Sequence, residues 1–156
     1  MLESVLNYKT KEKFMKKTIF LVDDIIASLT AAEKVLASHY RVIALSSAAQ
    51  MFKALDKFNP DLILLDVEMP EMNGFDAIKQ LKDNPEHAEI PVIFLTGRSD
   101  VDSEAKGIEL GAVDFILKPF HDIVLLTRIK NHLDIDEIVR ERTAQLTERT
   151  QQLDVL

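Results

Sequence analysis

The sequence predicts a doubly wound α/β fold built on a parallel sheet. Two observations carry that expectation. Five short, β-rich apolar runs alternate with stretches of helical periodicity, the pattern of successive βαβ units. Two of the runs, LILL at 62–65 and VIFL at 92–95, are continuously apolar, as strands covered on both faces are. The first strand is expected over Thr18 to Val22 and ends at the acidic pair Asp23–Asp24; the others are expected at 41–45, 62–65, 92–95 and 113–117. Between them, residues 27–38 place Leu29, Ala32, Val35 and Leu36 on one stripe. Residues 47–58 do the same with Ala48, Met51, Phe52 and Leu55, and residues 74–82 with Phe75, Ile78 and Leu81. The stripe at 101–110, from Val101, Ala105, Ile108 and Leu110, is weaker and is interrupted by Gly107. Gly111 stands where a helix-ending glycine belongs.

The ends differ in kind. Residues 1–17 carry Lys9, Lys11, Lys13, Lys16 and Lys17 and read as an extension outside the core, which is expected over 18–133. The last helix begins near His121 or Asp122 and has no evident stop, so residues 134–156 form a helical extension. Leu125, His132, Val139, Leu146 and Leu153 recur every seven residues, with Ile135 and Leu156 on the adjoining seam. Arg128, Arg142 and Arg149 dilute that seam, which leaves a coiled coil and a solvated tail as alternatives.

Bulk properties narrow the function. The 156 residues are 47% hydrophobic and 29% charged, the composition of one soluble globular domain. A net charge of −7 argues against nucleic acid as a direct partner. The absence of cysteine excludes disulfides and thiolate metal sites and fits a cytoplasmic setting, and no apolar run is long enough to span a membrane. The four histidines, His39, His87, His121 and His132, lack ligand spacing and read as surface residues.

In doubly wound sheets ligands bind beyond the carboxyl ends of the strands. The residues there are Asp23 and Asp24, Asp66, Thr96 and Lys118. Converging carboxylates repel one another, and a hard divalent cation such as Mg²⁺ relieves that repulsion while leaving positions for phosphate oxygens. A carboxylate beside such a cation can act as nucleophile toward phosphorus, with a lysine ammonium neutralising the oxygens. The set lacks an activated water or a general base, so it suits accepting a phosphate rather than turning over substrate.

The segments IFLVDD, LILLDVEMPEMNGFDAI, PVIFLTG and GAVDFILKPF resemble the receiver domain of bacterial two-component response regulators, in order and spacing across residues 18–133. The resemblance implies a (βα)5 flavodoxin-like fold with strand order 2-1-3-4-5 and an extended C-terminal helix. It implies Asp66 as phosphoacceptor, and Mg²⁺ held by Asp23, Asp24, Asp66 and the backbone carbonyl of Glu68. Thr96 would be the switch hydroxyl, Phe115 the switch aromatic and Lys118 the phosphoryl contact, with Lys118–Pro119 a cis peptide. Gly97 stands where the family usually has alanine, and Phe115 lacks the hydroxyl of the commoner tyrosine. Glu68 and Arg98 each lie two residues past a key position and are expected to pair over the phosphate and lengthen its lifetime. The implied partners are a sensor histidine kinase or phosphotransfer protein, and a second copy meeting the fourth helix, fifth strand and fifth helix face and the C-terminal helix. The chain stops inside a helical pattern, so its output domain is expected to lie outside it, as in a fragment of a longer regulator.

Three other functions are weighed. A phosphorylation-independent interaction module would need no intact acceptor set. An aspartate-nucleophile phosphatase places a second acid two residues after its nucleophile, where this chain has Ile25 or Ile26. No GxGxxG or Walker loop supports a nucleotide binder.

Overall fold

The structure, a computed structural model, describes residues 16–97 and 100–154. Five strands, β1 (Thr18–Val22), β2 (Arg41–Leu45), β3 (Leu62–Leu65), β4 (Val92–Thr96) and β5 (Asp114–Leu117), form one parallel sheet in the order β2-β1-β3-β4-β5. Helices α1 (Ile26–Leu36), α2 (Ala48–Leu55), α3 (Gly74–Asp83), α4 (Val101–Glu109) and α5 (Asp122–Asp154) connect and follow the strands. The expected strand order and long last helix are therefore present, and element ends fall within a few residues of the sequence reading.

Each strand divides its side chains between two cores, because successive residues point to opposite faces. Ile19, Leu21, Leu62, Leu64, Ile93, Leu95 and Ile116 pack with Leu29, Ala32 and Leu36 of α1 and Leu125, Ile129 and Leu133 of α5. Phe20, Val22, Ile63, Leu65, Phe94 and Phe115 face Met51 and Leu55 of α2 and Phe75, Ile78 and Leu81 of α3. This two-sided burial is why LILL and VIFL show no polar alternation.

Side-chain caps start three helices. Ser47 accepts from the Gln50 N–H at 3.1 Å, Asn73 from Asp76 at 2.9 Å and Asp100 from Ser103 at 3.1 Å, each satisfying a donor the helix leaves open.

Helix α4 departs from the sequence reading. Val101 and Ile108 are 81% and 47% exposed, and Ala105 is exposed as well, while Ser103 and Gly107 are buried. The Phe94 and Phe115 rings occupy the space beneath the helix. A Cβ at Gly107 would stand 3.0 Å from Phe94 Cδ2 and 3.3 Å from Phe115 Cδ2, so only the smallest residues fit that face.

Helix α5 also differs. Its core contacts are Leu125, Ile129 and Leu133, a spacing of four; of the seven-residue seam Leu125 is buried, while Val139, Leu146 and Leu153 are exposed. His132 is not a free surface residue: its Nε2 lies 3.0 Å from Asp114 Oδ2. Leu156, Arg98 and the first fifteen residues of the N-terminal extension lie outside the described residues. Among the described residues no helix is long and apolar enough to cross a membrane.

One backbone approach sets the floor of the strand-end region. The Gly74 N–H donates to the Val67 carbonyl at 2.8 Å, and a Cβ on Gly74 would stand 2.2 Å from the Asp66 carbonyl oxygen. Around Gly97, by contrast, a Cβ would meet nothing within 4 Å. Gly74→Ala is expected to lower unfolding free energy by about 2–3 kcal/mol in urea denaturation, and Gly97→Ala to change it by less than about 0.5 kcal/mol. Equal midpoints for the two variants would contradict this account of Gly74.

Candidate acceptor site at the strand ends

Register determines what meets at the carboxyl edge of the sheet. Val22 pairs with Leu45 and Leu65, Leu65 with Phe94, and Thr96 with Leu117, so β1, β2 and β3 end level while β4 and β5 end together two residues further on. The ladder runs on by one residue: Asp66 N–H donates to the Val22 carbonyl at 2.9 Å and Lys118 N–H to the Thr96 carbonyl at 2.9 Å. Asp23, Asp66, Thr96 and Lys118 are thereby held by backbone bonds, and their side chains converge.

Carboxylate oxygens of Asp23, Asp24 and Asp66 all lie within 4.8 Å of one another. Asp23 and Asp66 are buried and Asp24 is half-buried. The Lys118 ammonium bonds Asp23 Oδ2, and its Nζ is 3.7 Å from Asp66 Oδ2. Among the described residues, one cation thus faces three acids. Lys118 is mostly buried here, not a lysine extended into solvent, and the peptide that follows it, Lys118–Pro119, is cis.

The two buried acids respond oppositely. Burial pushes Asp66 up to about 6, and the nearby Asp23 carboxylate adds to that push. The Lys118 charge and the Thr96 hydrogen bond oppose the rise without cancelling it. Burial also acts to raise Asp23. There it is outweighed by hydrogen bonds from Lys118, the Ile25 N–H at 3.0 Å and Ser28, and Asp23 ends below its ordinary value.

The donor set fits a hard divalent cation. Asp24 Oδ1 is buried and has no hydrogen-bond partner, an arrangement that costs free energy unless something else satisfies that oxygen. Three carboxylates within reach of one point, with oxygen donors only, match the preference of Mg²⁺. Glu68 is exposed two residues after Asp66, and Phe115 is buried with its ring centroid 6.0 Å from that of Phe94. A residue that sequence reasoning missed is Asp114, at the opposite end of β5 from Lys118; a lone acid at the start of a strand gives no signal of its own.

The fold and this cluster define a receiver-type α/β domain. The chain belongs to the response regulator receiver domain family, whose family model matches residues 19–130. It is 40% identical over 126 residues to a probable cyclic di-GMP phosphodiesterase of Vibrio cholerae, a match covering 81% of this chain and 29% of that protein. It is 37% identical over 135 residues to the response regulator PleD of Caulobacter vibrioides, covering 83% of this chain and 30% of that protein. The chain therefore spans less than a third of these relatives. Among solved structures, the BeF3-activated DrrB receiver domain superposes with a TM-score of 0.69 at 32% identity, over 77% of this chain and 99% of that one. The chain is accordingly a regulatory domain of two-component signalling, and receiver domains generally bind Mg²⁺ at an acidic pocket.

The raised Asp66 has a consequence for metal-free protein. Between its ordinary 3.8 and about 6, the folded state holds a proton that the unfolded state releases. The stability this group contributes is present at low pH and is lost as pH rises through about 6. Asp66→Asn removes the titration. In chelator, it is expected to stabilise the fold by about 1–3 kcal/mol at pH 7.5 relative to the parent, with the gain shrinking toward pH 4. Thermal melts across that range check this; a gain independent of pH would contradict it.

Proposed function

We propose that this chain accepts a phosphoryl group on Asp66, from a sensor histidine kinase or phosphotransfer protein, in a Mg²⁺-dependent reaction. The observation that carries the reading is the surroundings of Asp66. Lys118 Nζ is 3.7 Å from Oδ2, the Thr96 hydroxyl hydrogen-bonds to it, and the unpartnered Asp24 oxygen is close by. When bound, Mg²⁺ would supply positive charge to the transferring oxygens, held by Asp23, Asp24, Asp66 and the Glu68 backbone carbonyl.

In the transfer, an Asp66 carboxylate oxygen forms the new bond to phosphorus as the bond from phosphorus to the donor nitrogen breaks. The nitrogen keeps the electron pair and its imidazole leaves. Lys118 must loosen its hold on Asp23 to meet the added oxygens, since one ammonium serves both acids. Thr96, whose hydroxyl bonds Asp66, is placed to transfer that hydrogen bond to the phosphoryl group. That exchange favours a second conformer, so phosphorylation acts as a population shift.

The readout would fall on the face of α4, β5 and α5, where Val101, Ile108, Leu117, Ile123 and Val124 are exposed. A second copy of the chain is the proposed occupant, joined along the α5 extension. The output would reside in the remainder of a longer regulator, as the length of the relatives permits.

Incubation with Mg²⁺ and acetyl phosphate, read by intact mass, is expected to add one phosphoryl group to the parent and none to Asp66→Asn or to parent in chelator. No gain in folded parent would leave the interaction-module reading in its place. The same assay run in time addresses lifetime. If Glu68 and Arg98 shield the phosphate, Arg98→Ala loses it faster than the parent; an unchanged rate would remove that role.

A further inference from the structure

The Asp114 carboxylate joins the strand that carries Phe115 and Lys118 to the helix that leaves the domain. Its Oδ1 accepts from the Phe115 N–H at 2.8 Å and from Arg128 Nη1 at 3.0 Å, and its Oδ2 lies 3.0 Å from His132 Nε2. Arg128 and His132 are one turn apart on α5. Each directly precedes a core residue, Ile129 or Leu133, and no described side chain of α5 beyond Leu133 is buried. The cluster therefore sits where α5 parts from the sheet.

We propose that the Asp114–Arg128–His132 cluster couples the state of the Asp66 site to the direction of α5 beyond Leu133, with Asp114 as a positioning residue. The proposal rests on the reading of Asp66 as phosphoacceptor. Strand β5 is only Asp114–Leu117, with the phosphate-facing Lys118 at one end and the clamp at the other. A shift of β5 as Lys118 and Phe115 rearrange must move the Asp114 carboxylate, which directly follows the loop from α4. Hydrogen bonds to a charged group are short and directional, so such a movement releases or re-aims Arg128 and His132. The extension multiplies the effect. At 1.5 Å per residue the helix from Leu133 to Asp154 is ~30 Å long, so a ~10° tilt moves its tip by ~5 Å.

The chain has no cysteine, so spin labels can be placed at Lys53→Cys on α2 and Gln145→Cys on the extension, both exposed positions. Distances are measured by pulsed electron resonance without and with beryllofluoride and Mg²⁺, and fluorine NMR reports the bound beryllofluoride separately. In the parent the distance distribution is expected to shift by several ångströms on binding. Asp114→Asn keeps an acceptor for the Phe115 N–H but loses the ion pair; His132→Ala breaks the clamp from the helix side. Both are expected to bind beryllofluoride as the parent does and to show one unchanged distribution. A role confined to stability would lower the melting temperature and leave the shift in place. Variants that shift like the parent, or a parent whose distances do not change with beryllofluoride bound, would overturn the proposal. A parent with no bound fluorine signal would instead defeat the phosphoacceptor reading and this coupling with it.

Discussion

Three carboxylates and one ammonium share the space beyond the ends of β1, β3 and β5, and everything else in the domain is arranged around that imbalance. Like charges a few ångströms apart in a partly desolvated site cannot all ionise freely. Lys118 relieves Asp23 and only partly relieves Asp66, which burial keeps near 6. The result is an electrostatically unfinished site. Its missing positive charge suits a divalent cation, and a phosphoryl group can then draw Lys118 toward itself. A site fully neutralised by its own lysines would have no such response.

The rest of the fold is what makes the imbalance affordable. Two apolar layers clamp the sheet from both sides, and the side chains of Phe20, Ile63 and Phe94 are completely buried on one of them. Backbone bonds from Asp66 and Lys118 to neighbouring strands hold the charged residues at fixed heights. Gly74 lets α3 start directly against the Asp66 carbonyl, closing the floor without a side chain. Helix α4 is seated more lightly: only Ser103 and Gly107 are buried in it, over the rings of Phe94 and Phe115, with Lys106 lying across Phe75. The helix over Phe115 is therefore the one with the least side-chain burial holding it.

Much of this was legible in the sequence, for a physical reason. A parallel sheet buried on both faces leaves continuous apolar runs, and the polar residue that ends each run marks the functional edge; Asp23, Asp66, Thr96 and Lys118 could be found that way. The face of α4 could not, since its apolar residues point outward and the reason is the bulk of two distant phenylalanines. On α5 the single chain meets its core at Leu125, Ile129 and Leu133, a spacing of four; of the seven-residue series only Leu125 is buried there, and Val139, Leu146 and Leu153 are exposed. His132 looked like an isolated histidine because its partner, Asp114, is eighteen positions away along the chain. Pairing across that distance is a property of the assembled fold.

Calorimetric titration with Mg²⁺ tests most directly whether the three acids bind a divalent cation as a unit. At pH 6 the parent should bind one ion and release about half a proton, because the metal must displace the proton that Asp66 retains near that pH. Asp24→Asn, which removes one carboxylate while keeping its size, should bind far more weakly. Absence of binding in the parent, or unchanged binding in Asp24→Asn, would contradict the central claim.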